Sequence, residues 1–159
     1  MRFVNYLVVF VALSLAVGCS KKKKEEIDSP TSFAAIESTE GSSDQGTAMG
    51  LQTVNFEFDS FALGSTAKAV LVANGEILKA NSKLRVQIEG HCDERGGIQY
   101  NIALGEKRAN SVRQYLMDAG VSGDRLTTVS FGEERPIDPR SSEDAWAKNR
   151  RANFAVTAK

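Results

Sequence analysis

The sequence contains few of the residues that build metal centres and disulfide frameworks. Its 159 residues include two cysteines, Cys19 and Cys92, and a single histidine, His91. One imidazole cannot supply the second histidine of a zinc amidase site, so we predict neither a metal nor a cofactor. If Cys19 carries a covalent modification, Cys92 is left without a disulfide partner. The fold must therefore depend on its own core.

Net charge is absent as well. Lysine plus arginine and aspartate plus glutamate number 20 each, so the chain lacks the net basic field that is typical of nucleic-acid binding, and we predict no such binding. No G-x-S-x-G motif is present. His91 and Cys92 are neighbours on an apparent strand, where adjacent side chains point to opposite faces and make a poor base–nucleophile pair. We therefore predict that the protein is not an enzyme. Cys92 is expected to be a small buried residue, with a redox-sensitive thiol as the alternative.

The apolar run at the N-terminus is short for a membrane span, which needs roughly 20 residues. Residues 6–17 suit the central region of a signal peptide instead, and the small residues before Cys19 resemble a bacterial lipobox. We predict a lipoprotein signal peptide over residues 1–18 and an acylated Cys19. The alternative is an uncleaved signal anchor, which the four lysines at 21–24 favour because positive charges resist translocation.

The expected lipid on Cys19 determines where in the cell the protein is held. Several acyl chains on Cys19 would hold the protein stably on a membrane. In the lipoprotein sorting of enteric bacteria, aspartate after the cysteine signals retention in the inner membrane, so Ser20 predicts the outer membrane, with the domain in the periplasm. The lysines at 21–24 lie beside this anchor, where anionic headgroups are their expected partners.

The rest of the chain divides into a tether and one domain. Residues 19–52 precede the domain, and from residue 25 onward they are rich in serine, threonine, glutamate, glycine and alanine, with no sustained apolar period. We predict a lipidated N-terminus followed by a flexible acidic tether. Residues 53–159 are long enough to bury one core, and nothing in them demands more than a monomer.

Periodicity predicts an α/β fold for this domain. The apolar residues alternate as in strands, or follow a helical period, in six segments. The strands are 54–58, 84–89, 126–131 and 151–156. The helices are one that Ser65 caps and that ends before Asn81, and one over 99–119. Ser141 and Asp144 predict a capping box for a further short helix through Trp146. The order β-α-β-α-β-α-β predicts a two-layer sandwich, with helices packed on one mixed four-stranded sheet.

The helix at 99–119 breaks its own amphipathic pattern. At about 100° per residue, its apolar side chains gather on one side and most of its charged ones lie opposite. Asn101 and Arg108 instead project with Leu104 and Val112, inside the apolar stripe. Charged groups avoid burial unless they are paired, so Arg108 is either an internal ion-pair partner or lines a pocket.

A second charged residue, Asp93, ends the strand before that helix. A carboxylate at Asp93 and a guanidinium at Arg108 together suit a ligand that carries both an ammonium and a carboxylate. The alternative is an internal salt bridge between the two residues, which would only close the loop.

Five blocks of sequence carry a family resemblance. They are FEFD at 56–59, EGHCDERG at 89–96, YNIALGEKRA at 100–109, VSFG at 129–132 with Pro136, and NRRA at 149–152. In order and spacing these blocks resemble the OmpA-like peptidoglycan-binding domain family. The resemblance covers the whole domain, and it extends to the signal and tether that precede it. It departs at Gly105, where the family's helix motif usually has serine.

The resemblance implies a ligand and a site. Members of this family bind the peptide stem of peptidoglycan at its diaminopimelate residue, which presents an ammonium and a carboxylate on one carbon. Asp93 and Arg108 are the implied anchors for these two groups. The implied wall and rim contacts are Asn101, Leu104, Arg95, Phe58 and Asp59. By alternation one of Arg150 and Arg151 faces the helices and the other solvent, and Arg151 is a further candidate.

The resemblance also implies partners. Single-domain lipoproteins of this family assemble with the Tol envelope proteins, TolB in particular, on a surface that overlaps the wall-binding face. We therefore expect a non-catalytic anchor between the outer membrane and peptidoglycan. The alternatives are a lipoprotein that binds the wall without Tol partners, and a motility stator, which would need a charged transmembrane helix.

Overall fold

The computed structural model describes residues 40–159 of the chain. The signal peptide, the lipidation site Cys19 and most of the expected tether lie outside the described residues, so those predictions stand as made. The strands are β1 Gly41–Ser42, β2 Val54–Asn55, β3 Arg85–His91, β4 Leu126–Gly132 and β5 Arg151–Ala158. The α-helices are α1 Ser65–Ala80, α2 Ile98–Asp118 and α3 Glu143–Asn149.

These elements form one mixed sheet with its main helices on one face. The strand order is β1-β5-β3-β4, and β2 also pairs with β5. Strands β3 and β4 are parallel, whereas β5 is antiparallel to β3 and to both short strands. The predicted two-layer α/β sandwich is confirmed. The sheet has five strands rather than the predicted four, because β1 lies in a segment that the sequence analysis assigned to the tether.

We call residues 41–53 the N-terminal strap, because they lie along β5 rather than free of the domain. Gly41 pairs with Val156, and the side chains of Ala48 and Leu51 are buried. The three apolar residues of this polar stretch, Ala48, Met49 and Leu51, show no helical or strand period, so their packing cannot be recognised from the sequence. The folded structure therefore extends a dozen residues ahead of the predicted domain start.

Asn74 fastens the strap to α1. Its side chain is fully buried within the otherwise apolar face of the helix. The Asn74 amide accepts a hydrogen bond from the Gln52 backbone N–H at 2.9 Å and donates one to the Gln52 carbonyl at 2.8 Å. A polar residue at a core position is thus satisfied by the backbone of the strap, as burial requires.

The core lies between the sheet and helices α1 and α2. Its fully buried members include Leu71, Leu78, Ile88, Val112, Leu116 and Phe154. The expected break in the pattern of α2 is present, since Asn101 and Arg108 are buried beside Leu104 and Val112. Within residues 40–159, none of the helices combines the length and the apolar character needed to cross a membrane.

Helix α2 approaches β3 closely because two glycines meet. A Cβ atom on Gly90 would overlap the backbone carbonyl of Gly105, and a Cβ on Gly105 would overlap Ser130 Oγ and lie 2.9 Å from the Gly90 oxygen. The departure from the family motif at Gly105 thus has a cause in this chain. Ser130 occupies the space that a larger residue at position 105 would need.

Candidate functional site

One pocket lies where β3 ends and α2 begins. The residues that line it are Phe58, Asp59, Cys92, Asp93, Arg95, Gly96, Tyr100, Asn101, Leu104 and Arg108. All seven of the main binding residues expected from the sequence are among them. Three separate parts of the chain therefore meet here, namely the loop after β2, the loop after β3 and the first half of α2.

Arg108 reaches this pocket from inside the protein. Its side chain is 0% exposed, and it donates to the carbonyls of Ser60 at 2.8 Å, His91 at 2.8 Å and Glu57 at 3.1 Å. Burial lowers the pKa of Arg108, although a guanidinium keeps its charge in proteins. Among residues 40–159 no carboxylate forms an ion pair with it, so the internal Asp93–Arg108 salt bridge is not the arrangement found.

Asp93 is neutralised by other arginines. Its carboxylate is 4% exposed and accepts hydrogen bonds from Arg95 Nη2 at 2.8 Å and from Arg150 Nη1 at 3.2 Å. Burial alone would raise the pKa of Asp93, but the hydrogen bonds from Arg95 and Arg150 hold it below its ordinary value. The site therefore holds a charged carboxylate at Asp93 and, at Arg108, a positive charge that no carboxylate of the described residues pairs with.

Aromatic side chains enclose Arg95 at the rim. Its guanidinium carbon lies 4.0 Å from the centre of the Phe58 ring and 4.2 Å from that of Trp146. Both distances are typical of cation–π contacts. The Trp146 indole N–H in turn donates to Glu94 at 3.1 Å. Arg95 is thus held beside Asp93 by contacts with two aromatic rings.

Asn101 shapes the loop that carries Asp93. Its buried amide nitrogen donates to the carbonyls of Asp93 and Arg95, each at 3.3 Å, and to the Glu133 carboxylate. Gly96 lies in the same loop, and its φ of 114° is one that side-chain-bearing residues rarely adopt. At the other wall, Asp59 accepts a hydrogen bond from the Tyr100 hydroxyl, which links the loop after β2 to α2.

Arg150 and Arg151 exchange the roles that the sequence suggested. Arg150 reaches Asp93, whereas Arg151 pairs with Asp44 of the strap at 2.8 Å and does not line the pocket. Both are buried, so the expectation that one faces solvent is wrong. Alternation failed because Arg150 is the C-cap residue that follows α3, and the strand begins only at Arg151. Trp146 and Tyr100 were also missed, since neither breaks its local pattern.

Cys92 is a buried residue, as expected. Burial raises the pKa of its thiol to about 11, and the Sγ atom lies 3.3 Å from the Asn101 carbonyl oxygen, to which it donates. A thiol of this kind carries little thiolate at neutral pH, and the thiolate is the nucleophile. Within the described part of the chain no three metal-binding side chains come together.

His91 is buried beside the site with neither ring nitrogen hydrogen-bonded. Its ring stacks on Phe131 with 5.6 Å between centroids, and its Nε2 lies 3.7 Å from the Glu89 carboxylate, beyond hydrogen-bonding distance. Burial lowers the pKa of His91 below its ordinary value of 6.5. The imidazole is therefore held neutral over a range where a free histidine takes up a proton.

The protonation of His91 should appear as a pH dependence of stability. Above about pH 6.5 the imidazole is neutral in both states, but below it the unfolded chain gains a proton that the folded chain refuses, so stability falls as the pH falls. We expect the free energy of unfolding to drop more steeply below that pH in the wild type than in His91→Phe, by up to about 1.4 kcal/mol per pH unit. Urea unfolding of both proteins on either side of that pH measures this difference. Parallel profiles of unfolding free energy against pH would contradict the prediction.

Comparison with known proteins gives a consistent family. The OmpA family matches residues 55–150. The peptidoglycan-associated lipoprotein of Pseudomonas putida is 38% identical over an alignment of 162 positions, gaps included, that covers 97% of each chain. The similarity therefore extends from the domain through the N-terminal region.

Solved structures agree with the fold. The crystal structure of the peptidoglycan-associated lipoprotein from Burkholderia pseudomallei matches with a TM-score of 0.65 and 36% identity, over 71% of this chain and 96% of that one. The C-terminal domain of Helicobacter pylori MotB matches with a TM-score of 0.62 over 66% of this chain and 83% of that one. At 23% identity, the second match shows the fold alone.

Proposed function

The chain belongs to the OmpA family, and we propose that it is a lipoprotein that holds the outer membrane to peptidoglycan without a covalent bond. Its relatives' name, peptidoglycan-associated lipoprotein, supports the coarser role of a peptidoglycan-binding envelope lipoprotein. The observation that carries the proposal is Arg108, a buried cation at a pocket wall that is held by backbone carbonyls and has no carboxylate partner among the described residues.

The proposed ligand is the diaminopimelate residue of the stem peptide. Its side arm ends in a carbon that bears both an ammonium and a carboxylate. The Arg108 guanidinium would bind the carboxylate through a charge-assisted hydrogen bond, and Asp93 would bind the ammonium. Asn101 holds the loop of Asp93 in place, and Leu104 gives the pocket an apolar wall.

We propose no catalytic step for this protein. A thiol with a pKa of about 11 is a weak nucleophile, and His91 lies outside the pocket lining. Binding alone suffices for an anchor. Many copies acting on one wall, each confined near it by a tether, convert a weak contact into stable attachment.

The membrane and protein partners belong to the same proposal. Acylated Cys19 would hold the chain in the outer membrane. Incorporation of labelled palmitate tests this directly, with Cys19→Ser as the control.

Tol proteins, TolB in particular, are the proposed protein partners, and peptidoglycan fragments should compete with TolB for the domain. If TolB does not bind, the alternative of a wall-binding lipoprotein without Tol partners replaces this part.

Co-sedimentation with purified sacculi tests the wall contact. The full chain in detergent should pellet with sacculi, and free diaminopimelate should release it. We expect Asp93→Asn and Arg108→Lys each to weaken binding about tenfold or more. Asp93→Asn removes a charge-assisted contact, and Arg108→Lys removes the forked geometry of the guanidinium.

Matched controls separate the pocket from general effects. Arg113→Lys changes another α2 arginine, which donates to the carbonyls of Leu126 and Gly123 away from the pocket. Asp138→Asn changes another arginine-paired aspartate. Both controls should pellet like the wild type. Equal pelleting of all the variants would show that Asp93 and Arg108 are structural, and failure of the wild type to pellet would overturn the proposed function.

A further inference from the structure

Asp93 carries two arginines that are not equivalent. The Arg150 side chain is 7% exposed, and it also donates to the Phe56 carbonyl at 3.1 Å and to Glu143 at 2.9 Å. The Arg95 side chain is 31% exposed and lines the pocket, which Arg150 does not. One arginine is therefore built into the fold, whereas the other lies at the entrance.

Arg95 occupies both oxygens of the carboxylate. Asp93 Oδ1 accepts from the Arg95 backbone N–H at 3.1 Å and from its Nε at 3.3 Å, and Oδ2 accepts from Nη2 at 2.8 Å. A ligand ammonium that binds Asp93 from the pocket must therefore take the place of this guanidinium. The ammonium and the Arg95 guanidinium cannot occupy the same space, and a third cation beside Arg95 and Arg150 would be repelled by both.

We infer that Arg95 is an internal competitor for the ammonium site, and that it leaves Asp93 when an ammonium-bearing ligand binds. The inference rests on the proposed function and adds a residue that sets selectivity. A ligand that carries only carboxylates has no ammonium that could displace Arg95, and the positive charge of Arg95 attracts it. A ligand with an ammonium beside its carboxylate gains Asp93 only by expelling Arg95.

The surroundings of Arg95 make this exchange feasible. After Arg95 leaves, Asp93 keeps the ion pair with Arg150, so no buried carboxylate is left without a cation. The departing guanidinium has a second carboxylate within reach, since its Nη1 already lies 3.5 Å from Glu143. The ligand ammonium replaces the charge that Arg95 withdraws from Asp93, so the exchange trades one ion pair for another.

The test is calorimetric titration of the full chain in detergent with meso-diaminopimelate and with pimelate, the same carbon chain without ammonium groups. We expect Arg95→Gln to bind diaminopimelate about two- to fivefold more tightly than the wild type, and to bind pimelate no more tightly. Arg140→Gln is the matched control. Arg140 grips Asp138 with the same Asp-x-Arg fork, at 2.9 Å from Nε and 2.6 Å from Nη2, away from the pocket.

The outcomes separate the two proposals. If the wild type does not bind diaminopimelate, the proposed function is overturned. If the wild type binds but Arg95→Gln binds diaminopimelate equally or more weakly, Arg95 is an ordinary rim contact and this inference alone falls. An equal gain for diaminopimelate and pimelate would also overturn it, since displacement by an ammonium would then play no part.

Discussion

Replacing Gly105 by serine should lower the free energy of unfolding by about 3 kcal/mol, at the upper end of the usual cost of overpacking. The added Cβ overlaps Ser130 Oγ and lies 2.9 Å from the carbonyl oxygen of Gly90. The Ser130 hydroxyl accepts a hydrogen bond from the Gly132 N–H at 3.2 Å, which rotation away from position 105 would break, and the Gly90 backbone belongs to a central strand and cannot move alone. Helix α2 must therefore shift away from β3. Urea unfolding monitored by circular dichroism measures the loss.

A second substitution should recover much of this loss. In Gly105→Ser with Ser130→Gly, the overlap with Oγ disappears, and we expect at least half of the lost free energy of unfolding to return. Gly75→Ala is the matched control within a helix, because its Cβ would lie an ordinary 3.7 Å from Leu116. It should stabilise the protein by about 0.5–1 kcal/mol. No recovery in the double variant would refute the steric account.

Replacing Arg151 by methionine should release the N-terminal strap at a cost of about 3 kcal/mol, since breaking a buried ion pair leaves one charge without its partner. Arg151 donates to Asp44 at 2.8 Å and to the carbonyls of Asn149 and Arg135. Hydrogen exchange of the amides in residues 41–55 should accelerate in this variant. Hydrogen exchange in α2 should accelerate only as much as the global loss of stability accounts for.

The charge on Asp44 can be tested separately. In Arg151→Met with Asp44→Asn, the stranded carboxylate becomes a neutral amide that can still accept from the Thr53 hydroxyl, which now donates to Asp44 Oδ1 at 2.8 Å. We expect the double variant to be more stable than Arg151→Met alone. If the two variants unfold alike and exchange in the strap is unchanged, the ion pair does not fasten the strap.

Local patterns were sufficient to predict the helices and long strands of this domain. Helix α1 spans 65–80, one residue earlier at its start than predicted because Gly64 rather than Ser65 is the N-cap, and α2 spans 98–118 against a prediction of 99–119. The burial of Arg108 also followed from its place in the apolar stripe. These features depend on periodicity within one element, which the sequence displays directly.

Features that depend on two distant segments could not be predicted in this way. The strap is held by Arg151 and Asn74, more than 20 residues away in sequence, and its own residues carry no period. The pairing of Asp93 with Arg150 depends on where α3 ends, which alternation along β5 cannot reveal. The short helix likewise begins one residue later than predicted, with Ser142 rather than Ser141 as its cap.

The route by which the chain enters the domain determines how the domain would carry mechanical load. The chain arrives at Glu40, whose N–H donates to Val156 at 2.7 Å, while the pocket lies at the opposite end of β5, next to Arg151. These two points are separated by five residues of strand, about 17 Å. Tension between membrane and wall would thus run along the strands, so that the bonds joining the strap to β5 are sheared together rather than opened one after another.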